Sequence, residues 1–122
     1  MKKITSLIII CLFASAAIAQ NELYNNGTTL FVSTGCVLTV NGALTINGNF
    51  TNDQTMTLPA SGTLQFTGKS AQSLNGTADY FANNVLINNA AGVTLNTRLK
   101  CDGSVTFTSG IVTASTTSTP LL

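Results

Sequence analysis

The sequence contains no histidine and no tryptophan, only 7% charged residues, and three cysteines in 122 residues. Each shortage removes a class of function. Without histidine the chain lacks the commonest general base and the commonest neutral metal ligand, and neither a Ser-His-Asp nor a Cys-His arrangement can form within it. Without tryptophan, and with two tyrosines, it has little from which to build an aromatic sugar platform. The few charges form no basic stripe, so nucleic acid is not expected as a partner. No cationic amphipathic segment is present to lie on a membrane surface, and no stretch of useful length has helical periodicity. The acids Glu22, Asp53, Asp79 and Asp102 stand singly along the chain, whereas a calcium site or a sugar-cleaving β-helix needs them clustered. Asp53 and Asp102 could share a face only if a whole number of coils separated them. The expectation is a chain with no catalytic, cofactor-binding or metal-binding residues and no cofactor.

What is present begins with a leader. Lys2 and Lys3 precede an uncharged apolar stretch over residues 4–16, and Ala17-Ile18-Ala19 follows as a small-x-small site, the layout of a secretory signal peptide cleaved before Gln20. The apolar stretch is short of the ~20 residues that span a bilayer, so no membrane span is expected after cleavage. Cys11 follows Ile10 and lies inside the apolar stretch, which does not suit a lipidation site. After residue 19, Lys69, Arg98 and Lys100 face Glu22, Asp53, Asp79 and Asp102, so the formal charge moves from +1 to one net negative. Thr, Ser and Asn supply the polar surface instead. That composition suits an extracellular wall that meets a neutral surface or its own copies.

Short runs of β-formers alternate with Gly or Asn-Gly corners from Gly27 onward. The runs are residues 28–32, 37–40, 44–46, 55–58, 63–66, 85–87, 93–95, 99–101, 104–107 and 111–112. Corners only six to eight residues apart leave no room for ordinary hairpins with long strands, and predict a coiled β-solenoid of ~4 to 5 coils at ~20 to 25 residues each. The fold class expected is therefore all-β, a parallel β-helix or β-solenoid of short strands preceded by a signal peptide. Residues 1–19 are the signal, 20–26 a polar lead-in or cap, and 27–122 the coils. Leu30 and Val32, Leu38 and Val40, and Leu44 and Ile46 alternate with polar neighbours, which sets one face inward. Pro59-Ala60-Ser61-Gly62 reads as a turn, and residues 68–82 as the longest excursion from the coil. Phe31, Phe50, Phe66, Phe81 and Phe107 are expected to stack in the core. Tyr24 and Tyr80 are expected outside, with Tyr80 a candidate glycan contact. Residues 40–46 match 101–107 in type, which places Cys101 in the inward slot of Val40 as a small hydrophobe. That register disfavours a Cys36–Cys101 disulfide, because coils that are not neighbours hold their Cα atoms too far apart. Thr55-Met56-Thr57 and Thr106-Phe107-Thr108 raise an ice-binding face, which would require such a pair once per coil in a single register; here the pairs are irregular, and Thr is also simply a good polar strand former.

The segments Gly62-Thr63-Leu64-Gln65-Phe66-Thr67-Gly68, Asn83-Asn84-Val85-Leu86-Ile87-Asn88-Asn89 and Gly103-Ser104-Val105-Thr106-Phe107-Thr108-Ser109-Gly110 resemble units of secreted surface proteins of the Bacteroidota. In that group tandem right-handed parallel β-helix modules build long adhesin-like chains, many exported by the type IX secretion system. The resemblance runs from about Gly27 to the end and is specific only in the second half. It implies a secreted or cell-surface location, no catalytic residues, and partners among extracellular glycans, matrix or neighbouring copies. The chain lacks the sorting domain of type IX members and stops at Pro120-Leu121-Leu122, like the start of another strand, so it is expected to be the N-terminal piece of a longer protein. The function expected is a structural, adhesin-like, non-catalytic module presenting a Thr/Ser/Asn wall. The rivals are the non-catalytic part of a carbohydrate-active β-helix, an ice-binding solenoid, and a protein that assembles through the open edge of its last coil.

Overall fold

The computed structural model describes residues 22–54, 56–58 and 62–115, and the backbone of Leu7–Ile8. Among these the chain is all-β and winds as a solenoid of parallel strands. One wall stacks β1 (Leu7–Ile8), β3 (Leu30–Val32), β5 (Phe50–Asn52), β8 (Gln72–Asn75), β11 (Val93–Leu95) and β14 (Val112–Ala114). A second stacks β2 (Glu22–Asn25), β4 (Ala43–Ile46), β7 (Thr63–Phe66), β10 (Asn84–Asn88) and β13 (Val105–Ser109). A third is shorter, with β6 (Met56–Thr57), β9 (Tyr80–Ala82) and β12 (Leu99–Cys101). The chain visits the second, first and third walls in turn, making about four turns of roughly 20 to 24 residues. The polar lead-in supplies β2, which pairs with β4. The rest of the segment read as a signal peptide, Cys11 included, lies outside the described residues, as do Thr55, residues 59–61 and the C-terminal 116–122.

Local chemistry explains this winding. Each run is too short to support a hairpin and ends where the chain must bend, so the backbone groups of one strand pair with the same wall one coil away. Leu44, Leu64, Val85 and Val105 lie in one register across the second wall, with Ile46, Phe66, Ile87 and Phe107 two positions on. On the first wall Leu30, Phe50 and Leu74 are in register, and Leu74 with Leu95. On the third, Met56, Tyr80 and Leu99 are. Except for Phe107 and the partly buried Val105, these inward side chains merge into one buried core, each fully buried Leu, Ile or Phe stabilising by ~1.5–3 kcal/mol relative to exposure. Corners must let stacked backbones approach closely. Gly76 has φ 120°, and a Cβ there would overlap the backbone of Asn52 one coil away.

Several expectations are corrected. Residues 37–40 join no ladder: Val40 reaches the core but Val37 is exposed, because alternation reports which way side chains point, not whether the backbone has a partner. The excursion at 68–82 shrinks to residues 67–71, since β8 and β9 occupy seven of its fifteen residues and an ordinary corner joins them. Only Phe50 and Phe66 of the five phenylalanines are fully buried. Phe31 lies between inward Leu30 and Val32 and therefore points out, and Phe81 faces outward beneath the Lys100 ammonium, 4.8 Å from its ring centroid. Phe107 occupies an inward slot yet is 56% exposed, because β13 is the edge strand of its sheet among the described residues. Tyr24 is exposed as expected, but Tyr80 is 0% exposed. Its ring meets Phe50 edge-on at 4.9 Å. Its hydroxyl donates to the Asn75 carbonyl at 2.6 Å and lies 3.1 Å from the Phe50 carbonyl. Burial pushes that phenol far above its usual range, so it stays a neutral donor and cannot contact a glycan. Cys101 is free and makes no bond to Cys36. It packs partly buried against the core, its Sγ 3.2 Å from the Asn83 carbonyl.

A corner groove as candidate functional site

The charged side chains form one ion-paired group and otherwise lie at separate positions along the coils. Asp53 follows β5 and caps a corner, accepting from the Thr77 amide at 3.0 Å and the Thr77 hydroxyl at 3.2 Å. Asp102 follows β12, at a different corner, so the two acids do not meet. Asp79 lies between Arg98 and Lys100: Arg98 Nε donates to it at 3.0 Å, a second guanidinium nitrogen pairs with the same oxygen, and Lys100 Nζ is 3.8 Å away. The Arg98 hydrogen bond is the main reason the Asp79 carboxyl is held below its usual range. Among the described residues, no three His, Cys, Asp or Glu side chains gather as a metal site would require.

The outward faces are polar but mixed. One outward rung of the second wall reads Tyr24, Thr45, Gln65, Leu86 and Thr106 from coil to coil, so Thr does not recur in register there. Elsewhere short polar side chains bond to one another between coils: Asn96 Nδ2 donates to Asn75 Oδ1 at 2.8 Å, Ser104 Oγ to Asn84 Oδ1 at 2.9 Å, and Ser109 Oγ to Asn88 Oδ1 at 3.0 Å.

A concavity lies where the chain turns from the second wall to the first. It is a groove of about 450 Å³ crossing three successive corners, with Thr28, Thr29, Asn47, Asn49, Lys69 and Ser70 among its lining residues. The third corner is longer than the two before it, because residues 67–71 loop out between β7 and β8. Two buried amides hold that loop. Gln72 Oε1 accepts from the Gly68 amide at 3.1 Å, and Asn89 Nδ2 donates to the Ser70 carbonyl at 2.8 Å. The two side chains also join each other at 2.7 Å. Gln72 Nε2 then donates to the carbonyls of Ile46 at 2.8 Å and Gly48 at 2.7 Å, tying the loop to the corner one coil away. Both neighbours of Lys69 are thus fixed by side chains that are nearly or fully buried, which presents the Lys69 ammonium from a rigid support. The residues that build this groove were not singled out by pattern. Gln72 reads as a polar break, and only its spacing of two from Leu74 marks it as inward. Searches against protein-family models, curated proteins and solved structures return no match to this chain.

Proposed function

We propose that the chain is a secreted, non-catalytic, adhesin-like β-solenoid module of a cell-surface protein, whose outward Thr/Ser/Asn faces contact extracellular glycans or matrix. The observation that carries this reading is the set of outward amides and hydroxyls held in place by bonds between coils, such as Asn96 to Asn75 and Ser104 to Asn84. A rigid array of neutral donors and acceptors at the ~4.8 Å strand spacing suits a hydroxyl-rich polymer and loses little entropy on binding. The leader-like residues 2–19 and the resemblance to Bacteroidota surface proteins support export. Asp102 stands at a different corner from Asp53 and Asp79, and Asp79 is taken up by Arg98 and Lys100, which favours a binding role over a carbohydrate-cleaving one. The mixed outward rung of the second wall weighs against the ice-binding reading. Purified full-length chain applied to arrayed plant, host and bacterial polysaccharides is expected to be retained on at least one and to release no sugar. Release of reducing sugar would replace this function with a carbohydrate-active one.

One observation favours a second reading, contact with sister chains. In the last described coil Phe107 and Ile111 are 56% and 69% exposed, and β12, β13 and β14 are edge strands among the described residues. Unpaired strand edges with apolar side chains recruit further strands. Sedimentation that rises with protein concentration, and that Phe107→Lys suppresses, would support it; a monomer at every concentration would remove it.

A further inference from the structure

We infer that the corner groove beside Lys69 is a binding site for an acidic saccharide, with Lys69 taking a carboxylate or sulfate and the flanking amides and hydroxyls taking ring hydroxyls. This rests on the glycan-contact reading and names the ligand class and the place. Three features converge on it. The first is charge: Arg98 and Lys100 both face Asp79, whereas Lys69 has no acidic side chain within salt-bridge reach among the described residues. No acid is among the lining residues, so the groove carries a single uncompensated positive charge. The second is rigidity. The loop that carries Lys69 is held on both sides, by Gln72 at Gly68 and by Asn89 at Ser70, so little order has to be acquired on binding. The third is lining and size. About 450 Å³ lined by Thr28, Thr29, Asn47, Asn49 and Ser70 lies within the ~300–1,000 Å³ of small-molecule sites. Its donors and acceptors are neutral, as sugar hydroxyls require, and spread over three coils, farther than one small anion extends.

The test uses the full chain, titrated by calorimetry and by amide chemical shifts with a galacturonate hexamer, a sulfated hexasaccharide, neutral maltohexaose and inorganic sulfate. At least one acidic oligosaccharide is expected to bind about tenfold more tightly than maltohexaose, the size of one charge-assisted hydrogen bond. Amide shifts should move at Thr29, Asn49 and Ser70. Whichever acidic arm binds identifies the group, uronate or sulfate ester. Lys69→Gln should remove the preference for acid, while Lys100→Gln leaves it intact. Because Lys69 is exposed, Lys69→Gln is expected to fold with an unchanged spectrum. Inorganic sulfate binding as tightly as the oligosaccharides would overturn the saccharide assignment, and an unaffected Lys69→Gln would overturn the role of Lys69. Sugar binding that leaves the groove amides still would overturn the site while keeping the glycan reading. Binding of no saccharide, on these probes and on the polysaccharide array alike, would overturn both.

Discussion

Gln72→Glu isolates the buried amide network with an isosteric change that creates no cavity. Gln72 is 2% exposed and uses both ends of its amide. A carboxylate keeps the two acceptor contacts, to the Gly68 amide and Asn89 Nδ2, but turns both donor contacts into an oxygen facing the Ile46 and Gly48 carbonyls. A buried carbonyl left without its donor costs ~1–3 kcal/mol, so two set a range of ~2–6 kcal/mol. Ile46 keeps a second donor, the Thr67 amide at 3.1 Å, which places the expected loss at ~2–4 kcal/mol. Against a total of ~5–15 kcal/mol for a domain, that is a large fraction.

The same substitution carries a pH signature. Burial and the facing carbonyls raise the introduced carboxyl above its unfolded value of ~4.3. A group raised on folding gives its full stabilisation below the unfolded pKa and loses it as pH rises through the folded pKa. The deficit relative to wild type should therefore be smallest near pH ~4, where the protonated acid can donate to one carbonyl, and grow toward neutrality. Gln72→Leu, with nothing to titrate, should show a deficit independent of pH. Urea unfolding of all three proteins at several pH values measures this directly, with unchanged m-values licensing the comparison. A neutral-pH loss below ~0.5 kcal/mol, or a Gln72→Glu deficit flat with pH, would refute the network as described.

Three further outcomes are expected. Tyr80→Phe should cost ~1 kcal/mol through the lost bond to the Asn75 carbonyl, and Tyr80→Ala ~3–5 kcal/mol through the cavity beside Phe50, both read from urea midpoints. Gly76→Ala should destabilise more than Gly27→Ala: both positions have positive φ, at 120° and 78°, but only Gly76 faces backbone across the coil. Backbone strain alone should limit the Gly27→Ala loss to ~1–2 kcal/mol, and equal losses at the two sites would show that coil spacing is not the constraint. Asp79 is held low by Arg98, so its contribution is present above its unfolded pKa and lost as pH falls through the lower folded value. Asp79→Asn should flatten the acid limb of stability below about pH 4, and an acid limb unchanged by the substitution would show that another group controls it.

The winding itself was legible because its cause is local. Runs such as 44–46 and 63–66 show alternation and end at Asn-Gly or Gly corners, and that fixes both the inward set and the coil length without knowledge of any distant contact. What was illegible depends on what stacks above and below. Phe107 belongs to an inward slot and is exposed because β13 is an edge among the described residues, which no property of residues 104–107 reveals. Val37 lies in a run of strand-forming residues but meets no partner strand, so propensity there found no ladder to enter.

Polarity misled most where it was buried. Gln72-Ser73-Leu74-Asn75 resembles a loop by composition, and with Tyr80 it falls in the stretch expected to leave the coil. Inside the solenoid the penalty for burying an amide depends on whether its hydrogen bonds are met, and at Gln72 they are met by four groups from three coils. The same holds for the Tyr80 hydroxyl, which finds carbonyls on two coils. A solenoid supplies such partners at every corner, because each turn brings backbone carbonyls and amides of the next within reach of an inward polar side chain. Period-2 placement is therefore a better guide to burial here than hydropathy: Gln72 is as inward as Leu74, two residues on, and its amide is what allows residues 67–71 to leave the coil and carry Lys69 outward without leaving the turn unsupported.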